Sequence, residues 1–171
     1  MENFTNETLD VSQLPKFEEV EFSTLHPNYW KITLINLFLF FLILGTISFF
    51  VLLFNPELVQ YLFYYLIVYV TLILFFIFFS RLSFKKKGFA FRTHDVLYRY
   101  GVIATNTLVI PYNRIQHVAL HEGIISRYFN LSKIEIFTAG GESSDIKIPG
   151  IDTEQSKAIK QLVMGKIQKQ L

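Results

Sequence analysis

Cysteine is absent from all 171 residues, which rules out disulfides, thiolate metal sites and cysteine nucleophiles. Charge is absent from two long stretches, Ile32–Phe54 (23 residues) and Leu58–Phe79 (22 residues), where most of the 19 phenylalanines lie. A helix on the surface of a soluble core needs a polar stripe, and neither run has one, so a buried soluble hairpin is excluded. At 1.5 Å rise per residue the two runs form helices of ~34 and ~33 Å, enough for a hydrocarbon layer of ~30 Å. Also missing are a phosphate-cradling glycine loop, a metalloprotease helix and a nucleophile elbow, so no catalytic constellation is legible and an enzyme is the least favoured class.

Between the apolar runs stands Asn55-Pro56-Glu57. Proline lacks an N–H and disfavours helix in the residue before it, so the first helix should stop at Asn55 and the second return antiparallel beside it. The few polar residues within the runs, Thr46, Ser48 and Thr71 among them, can bond backbone carbonyls; Tyr69, near the middle, should face the partner helix, and Gly45 could allow a close helix contact. Tyr29 and Trp30 stand at the first boundary, where aromatics with a polar tip favour the interface.

Charge is unevenly distributed. Residues 1–31 carry two Lys against six acids, a balance of −4, whereas residues 81–171 carry 14 Lys and Arg against 7 acids, a balance of +7. Lys31 precedes the first run, Arg81, Lys85, Lys86, Lys87 and Arg92 follow the second, and the connecting loop has no basic residue. Positive residues stay inside, so both termini are expected on the cytoplasmic face of the membrane. The acidic start has no charged region before a short apolar stretch and does not read as a cleaved signal peptide. The expected organisation is an N-terminal cytoplasmic segment over 1–24, partly disordered in 1–13, a transmembrane hairpin over 25–83 and a soluble domain over 84–171.

After Gly88 the pattern changes to short alternating runs with turn signals, the mark of antiparallel strands. Phe89–Thr93, Val96–Tyr100, Val102-Ile103, Leu108–Tyr112, Ile115–His121, Lys133–Thr138 and Asp145–Ile148 give about seven strands, with turns at His94-Asp95, Thr105-Asn106, Gly140-Gly141 and Pro149-Gly150. Asp152, with Gln155 three residues on, caps a final helix whose apolar stripe is Ile159, Leu162, Val163 and Ile167. Such a helix should plug the open end of a bent sheet.

The run Ile110-Pro111-Tyr112-Asn113-Arg114-Ile115-Gln116-His117-Val118 resembles the signature of bacterial pleckstrin-homology-like domains flanked by membrane helices, the YdbS-like proteins. Gly123–Leu131, with Arg127 and Phe129, and Ile134–Gly141, with Thr138-Ala139-Gly140-Gly141, extend the likeness, as does His26-Pro27-Asn28-Tyr29 before the first apolar run. Asn130 stands where that family commonly has glycine; asparagine tolerates the left-handed conformation, so the fold is unaffected. The resemblance implies a seven-stranded barrel closed by a C-terminal helix, and a companion membrane protein with related domains.

Arg81, Lys85, Lys86, Lys87 and Arg92 are candidate contacts for anionic lipid headgroups, the alternative being that they only set topology. Arg114, Gln116, His117 and Arg127 are candidates either for partner contact or for an internal structural role. In the structural reading, Arg114 pairs internally and Arg127 pairs with Glu122 or Glu135. His117 and His121 share a strand face ~13 Å apart, too far to chelate one metal; His26 and His94 are isolated. No cofactor, metal, small-molecule substrate or nucleic acid is indicated. The leading expectation is a non-catalytic interaction module that docks a partner membrane protein or a second copy. An anionic-lipid sensor and an accessory subunit of a transporter or envelope complex are the alternatives.

Overall fold

The computed structural model describes residues 19–139 and 145–168; the expected disorder of 1–13 and the Gly140-Gly141 turn lie outside them. In chain order the elements are β1 (Ser23–Thr24), α1 (Asn28–Phe54), a 3-10 helix (Pro56–Tyr61), α2 (Leu62–Lys86), β2 (Gly88–Phe91), β3 (Asp95–Tyr100), β4 (Asn106–Pro111), a 3-10 turn (Tyr112–Arg114), β5 (Ile115–His121), α3 (Ile124–Tyr128), β6 (Leu131–Thr138), β7 (Ile146–Asp152) and α4 (Thr153–Gln168). All strand pairs are antiparallel and form two sheets, β1-β2-β3-β4 and β5-β6-β7.

Both hairpin helices are long and apolar enough to cross a membrane. The first ends at Asn55, as Pro56 requires, and the chain passes through one 3-10 segment before α2 begins at Leu62 rather than Leu58. The hydroxyls of Thr46, Ser48 and Thr71 donate to carbonyls four residues back, which leaves no unpaired donor on an apolar surface. The Tyr69 hydroxyl crosses to α1 and donates to the Phe41 carbonyl at 2.5 Å, with its ring edge-on to Phe41. A Cβ on Gly45 would lie 2.9 Å from that hydroxyl, so the glycine makes room for the tyrosine.

The described residues form seven strands, but only six of them lie in the expected 84–171 domain. Val102-Ile103 is no strand: Gly101, at φ +109, turns the chain out of β3, and Ile103 stands 92% exposed in the β3–β4 loop. The seventh strand is instead Ser23–Thr24, upstream of the hairpin, which pairs with Gly88-Phe89 immediately downstream of it. Leu25 follows into the core at 3% exposure.

Pro149-Gly150, expected as a turn, is a bulge within β7. Ser132 faces Ile151 and Ile134 faces Ile148, so β7 carries one extra residue at this point. Proline, with no N–H to donate, and glycine, here at φ +67, are the residues a bulge accommodates. The core is formed by Ile134, Ile136, Ile146, Ile148, Val96 and Val163, all at 0–1% exposure, with Tyr112 among them. Asp152 caps α4 by accepting from the amides of Glu154 and Gln155. The buried stripe of α4 is Ser156, Ile159, Val163 and Ile167; Leu162 is half exposed and lies off it. Ser156 is sealed by a hydrogen bond with Ser132 Oγ at 2.6 Å. Asn130 sits at φ 53, the only described non-glycine residue at positive φ.

Two glycines have opposite expected responses to alanine. A Cβ at Gly150 would lie 2.5 Å from Tyr29 Cγ at a left-handed φ, whereas one at Gly165 meets nothing within 4 Å in the last turn of α4. Gly150→Ala should destabilise the full-length chain by more than about 2 kcal/mol and Gly165→Ala should stabilise it by roughly 0.5–1 kcal/mol. Thermal melts in one detergent would check both.

Candidate functional site at the hairpin end of the domain

The two hairpin helices meet the domain through aromatic side chains. Phe84, near the end of α2, packs against Tyr29 and Trp30 at the start of α1, with ring centroids 6.4 and 6.1 Å apart. The Arg81 guanidinium lies over Trp30 at 4.9 Å and Phe84 at 5.6 Å, so π faces hold this cation, and among the described residues no carboxylate pairs with it. Arg81 and Lys85 border a cavity of about 370 Å³ with Thr24, Leu25, Pro27 and Phe84. Lys86 reaches the β3–β4 loop and donates to the Val102 carbonyl at 2.7 Å.

Lys87 is half-buried, and burial pushes its ammonium below the ordinary lysine value. It lines two cavities. One, about 280 Å³, is lined by Tyr98, Tyr100, Leu108, Asp145 and Lys147; the other, about 130 Å³, by Tyr29, Thr33, Ser80, Ser83 and Phe84. Tyr98 and Tyr100 stack with centroids 5.4 Å apart, and burial pushes the Tyr98 phenol up. Cations and hydroxyls lining small clefts can hold a phosphate or carboxylate group. Among the described residues no cluster of His, Asp and Glu could hold a metal ion.

Of the five expected headgroup contacts, the structure therefore brings Arg81, Lys85, Lys86 and Lys87 together and places Arg92 apart. Arg92 follows β2, at the end of that strand remote from Lys87, and bonds Asp95 through Nε (2.6 Å) and Nη2 (2.5 Å). This carboxylate raises the guanidinium pKa further.

The Ile110–Val118 run forms the corner where the chain passes from one sheet to the other. Ile110, Tyr112, Ile115 and Val118 point inward, and the Tyr112 hydroxyl donates to the Arg92 carbonyl at 2.9 Å. Between Ile115 and His117 the register with β6 shifts by one residue. This bulge explains why Gln116 and His117 both face outward. The expected internal pairing of Arg114 is not found among the described residues: its side chain is exposed, and its backbone carbonyl accepts from Ala139. His117 stacks on Phe137 at 4.2 Å. Arg127 is 77% exposed and lies 3.9 Å from Glu122, one of its two expected partners.

The other expected partner, Glu135, belongs to a separate charge cluster that sequence reading did not single out. It receives Lys147 at 2.7 Å, Lys133 at 3.3 Å and His121 at 3.2 Å on the outer face of β5-β6-β7. The signal was available: with Ile134 and Ile136 inward, Lys133 and Glu135 must share the outer face. Hydrogen bonding from Lys147, then from Lys133, holds the Glu135 carboxyl below the usual carboxylate range against the opposing effect of desolvation. A depressed folded pKa contributes stability that is complete above the unfolded value of 4.5 and lost as pH falls through the folded one. Glu135→Gln should therefore cost up to about 1 kcal/mol at pH 7, the upper range for solvent-facing pairs. The gap from the parent chain should close as the pH is taken below that unfolded value. Denaturation of both chains across that range measures it.

A family model described as Bacterial PH domain matches residues 32–167. No curated protein and no solved structure matches the chain. The match runs from the second turn of α1 to the last turn of α4, across the hairpin as well as β2 to β7, and the chain belongs to the bacterial PH domain family.

Proposed function

We propose that the chain is a membrane-anchored, non-catalytic docking module. Its hairpin spans a bacterial inner membrane, with both termini cytoplasmic, and its PH-type domain is held at the inner face to engage a partner membrane protein. Orientation rests on the basic residues, which flank the helix ends at the domain and are absent from the far loop.

One observation carries the partner half of the reading. Bare apolar exposure would not suffice, because lipid tails cover Phe38, Phe54 and Phe63 as well as another helix would. In lipid, helix association is driven by packing rather than by apolarity. At the loop end of the hairpin, α1, the 3-10 helix and the start of α2 border a largely apolar groove of about 290 Å³ lined by Ile47, Ser48, Val51, Leu52, Leu58, Tyr61 and Tyr65. A concave surface of this kind supports docking of a ridge from a neighbouring transmembrane helix.

A second reading, recognition of anionic lipid, draws on the grouping of Arg81, Lys85, Lys86 and Lys87 at the helix ends. It predicts a preference for anionic bilayers that weakens with salt.

Full-length chain recovered from native membranes in mild detergent should bring down one membrane protein in fixed ratio. Val51→Trp, which fills the groove, should reduce that recovery at least about tenfold by lost packing, without altering the thermal stability of the domain. A chain that is monomeric both in native membranes, by cross-linking, and after extraction would sink the docking reading.

A further inference from the structure

We propose that Ile103, Ile124 and Tyr128 form an apolar rim that sinks into the lipid surface and seats the domain against the membrane at a fixed tilt. The inference rests on the hairpin spanning a bilayer, as proposed above. These three side chains are 92%, 93% and 85% exposed. Among the described residues outside α1, α2 and the 3-10 helix between them, the other exposed large apolar residues, Val109, Leu162 and Met164, reach only 37–46%. Three nearly bare apolar side chains on a small domain need a cover.

Their positions identify it. Ile103 is in the β3–β4 loop, which the β2–β3 register, with Gly88 opposite Arg99, places at the end of the sheet nearest α2. Lys86, the last residue of α2, pins that loop through the Val102 carbonyl. Ile124 and Tyr128 are four residues apart in α3, on one face, and α3 packs against α1. The rim thus has one part beside each hairpin helix where it joins the domain.

Depth agrees. Arg81 is the first charge after the apolar run that ends at Phe79, and Lys86 stands five residues beyond it, ~7.5 Å along the helix. The headgroup layer on each side of a bilayer is ~5–8 Å thick, half the difference between the full and hydrocarbon thicknesses. The rim segments therefore lie at its level, with Arg81, Lys85 and Lys86 between them to meet phosphate. A tyrosine with its polar tip free suits that layer. A lipid surface, charged outside and apolar beneath, matches this arrangement better than a protein face, which would have to fit around two helices.

The absence of native cysteine makes the test direct. Ile103→Cys, Ile124→Cys and Tyr128→Cys each create a single site for an environment-sensitive fluorophore. His94→Cys, in the turn at the opposite end of β2 and β3, reports on water, and Ile43→Cys reports on the middle of α1. The full-length labelled chains are placed in vesicles of phosphatidylcholine and phosphatidylglycerol containing spin-labelled lipid. The three rim labels should be blue-shifted and quenched by shallow spin labels at least twofold more than the His94 label, while the Ile43 label is quenched by deep ones. If the Ile43 label is quenched and the rim labels behave like His94, the hairpin spans but the seating is wrong. Blue-shifted rim labels that lipid does not quench would show a protein cover and also overturn it. An Ile43 label that deep spin labels do not quench removes the spanning reading and this one with it.

Discussion

The contact between Tyr29 and Gly150 is the joint on which the molecule depends. The bulge in β7 brings Gly150 to a positive φ, its carbonyl accepts the His26 amide at 2.8 Å, and the Tyr29 ring occupies the space where a Cβ would be. Three residues upstream of His26 the chain is still strand, paired with β2, and two residues downstream it is already helix. The domain is therefore closed by residues from both sides of the hairpin. One tether would act as a hinge. Two, β1 with Leu25 on one side and Gly88 on the other, with Phe84 packed against Tyr29 and Trp30 between them, fix the direction in which the helices leave the sheet.

That rigidity determines the electrostatics of the junction. Arg81 rests on aromatic faces, Lys86 on a backbone carbonyl, and Lys87 in a cleft of hydroxyls and aromatic rings. Lys87 also lines the cleft that holds Asp145, but for Arg81 and Lys86 neutral partners satisfy geometry without cancelling charge, so these two keep their outward positive field. Arg92, with its guanidinium on Asp95, does not, although in sequence it looks like one more member of the same basic group. On the outer face of the second sheet the roles are reversed, and one carboxylate, Glu135, collects three basic side chains.

Much of this was legible in the sequence. The helix stop at Asn55, the inward pairs Ile134/Ile136 and Ile146/Ile148 and the Asp152 cap follow from local rules that act within a few residues. The left-handed Asn130 follows from the family resemblance, and the Tyr69 contact from the antiparallel return of the hairpin. What was not legible depends on residues distant in sequence. Two-residue β1 has no periodicity to detect, and only its pairing with Gly88-Phe89, 64 residues on, makes it a strand. Pro149-Gly150 reads as a turn because the same two residues serve turns and bulges alike; the ladder on either side decides between them. Val102-Ile103 has strand composition but no neighbour to pair with. Leu162 fits a helical stripe, yet Ser156 takes the buried place because Ser132 is there to satisfy its hydroxyl. At the site, the basic cluster after α2 was visible as composition, whereas the separation of Arg92 from it needed the direction of β2.

The residues that make the family recognisable also explain why recognition does not deliver a ligand. In the run from Ile110 to Val118, the side chains that point inward, Ile110, Tyr112, Ile115 and Val118, build the corner between the sheets, and any chain that makes this corner needs similar ones. A signature made of such positions reports the fold, and a fold hosts many functions. Function has to be sought where this chain does something the corner does not require. The junction meets that condition: four cations gather there, Lys87 lines two small clefts, and two segments that contribute little to the core each carry large apolar side chains into solvent. Each of these features lies beside the ends of α1 and α2 that join the domain. Their common cause is the hairpin, which makes that end of the domain the face it presents to whatever the hairpin is embedded in.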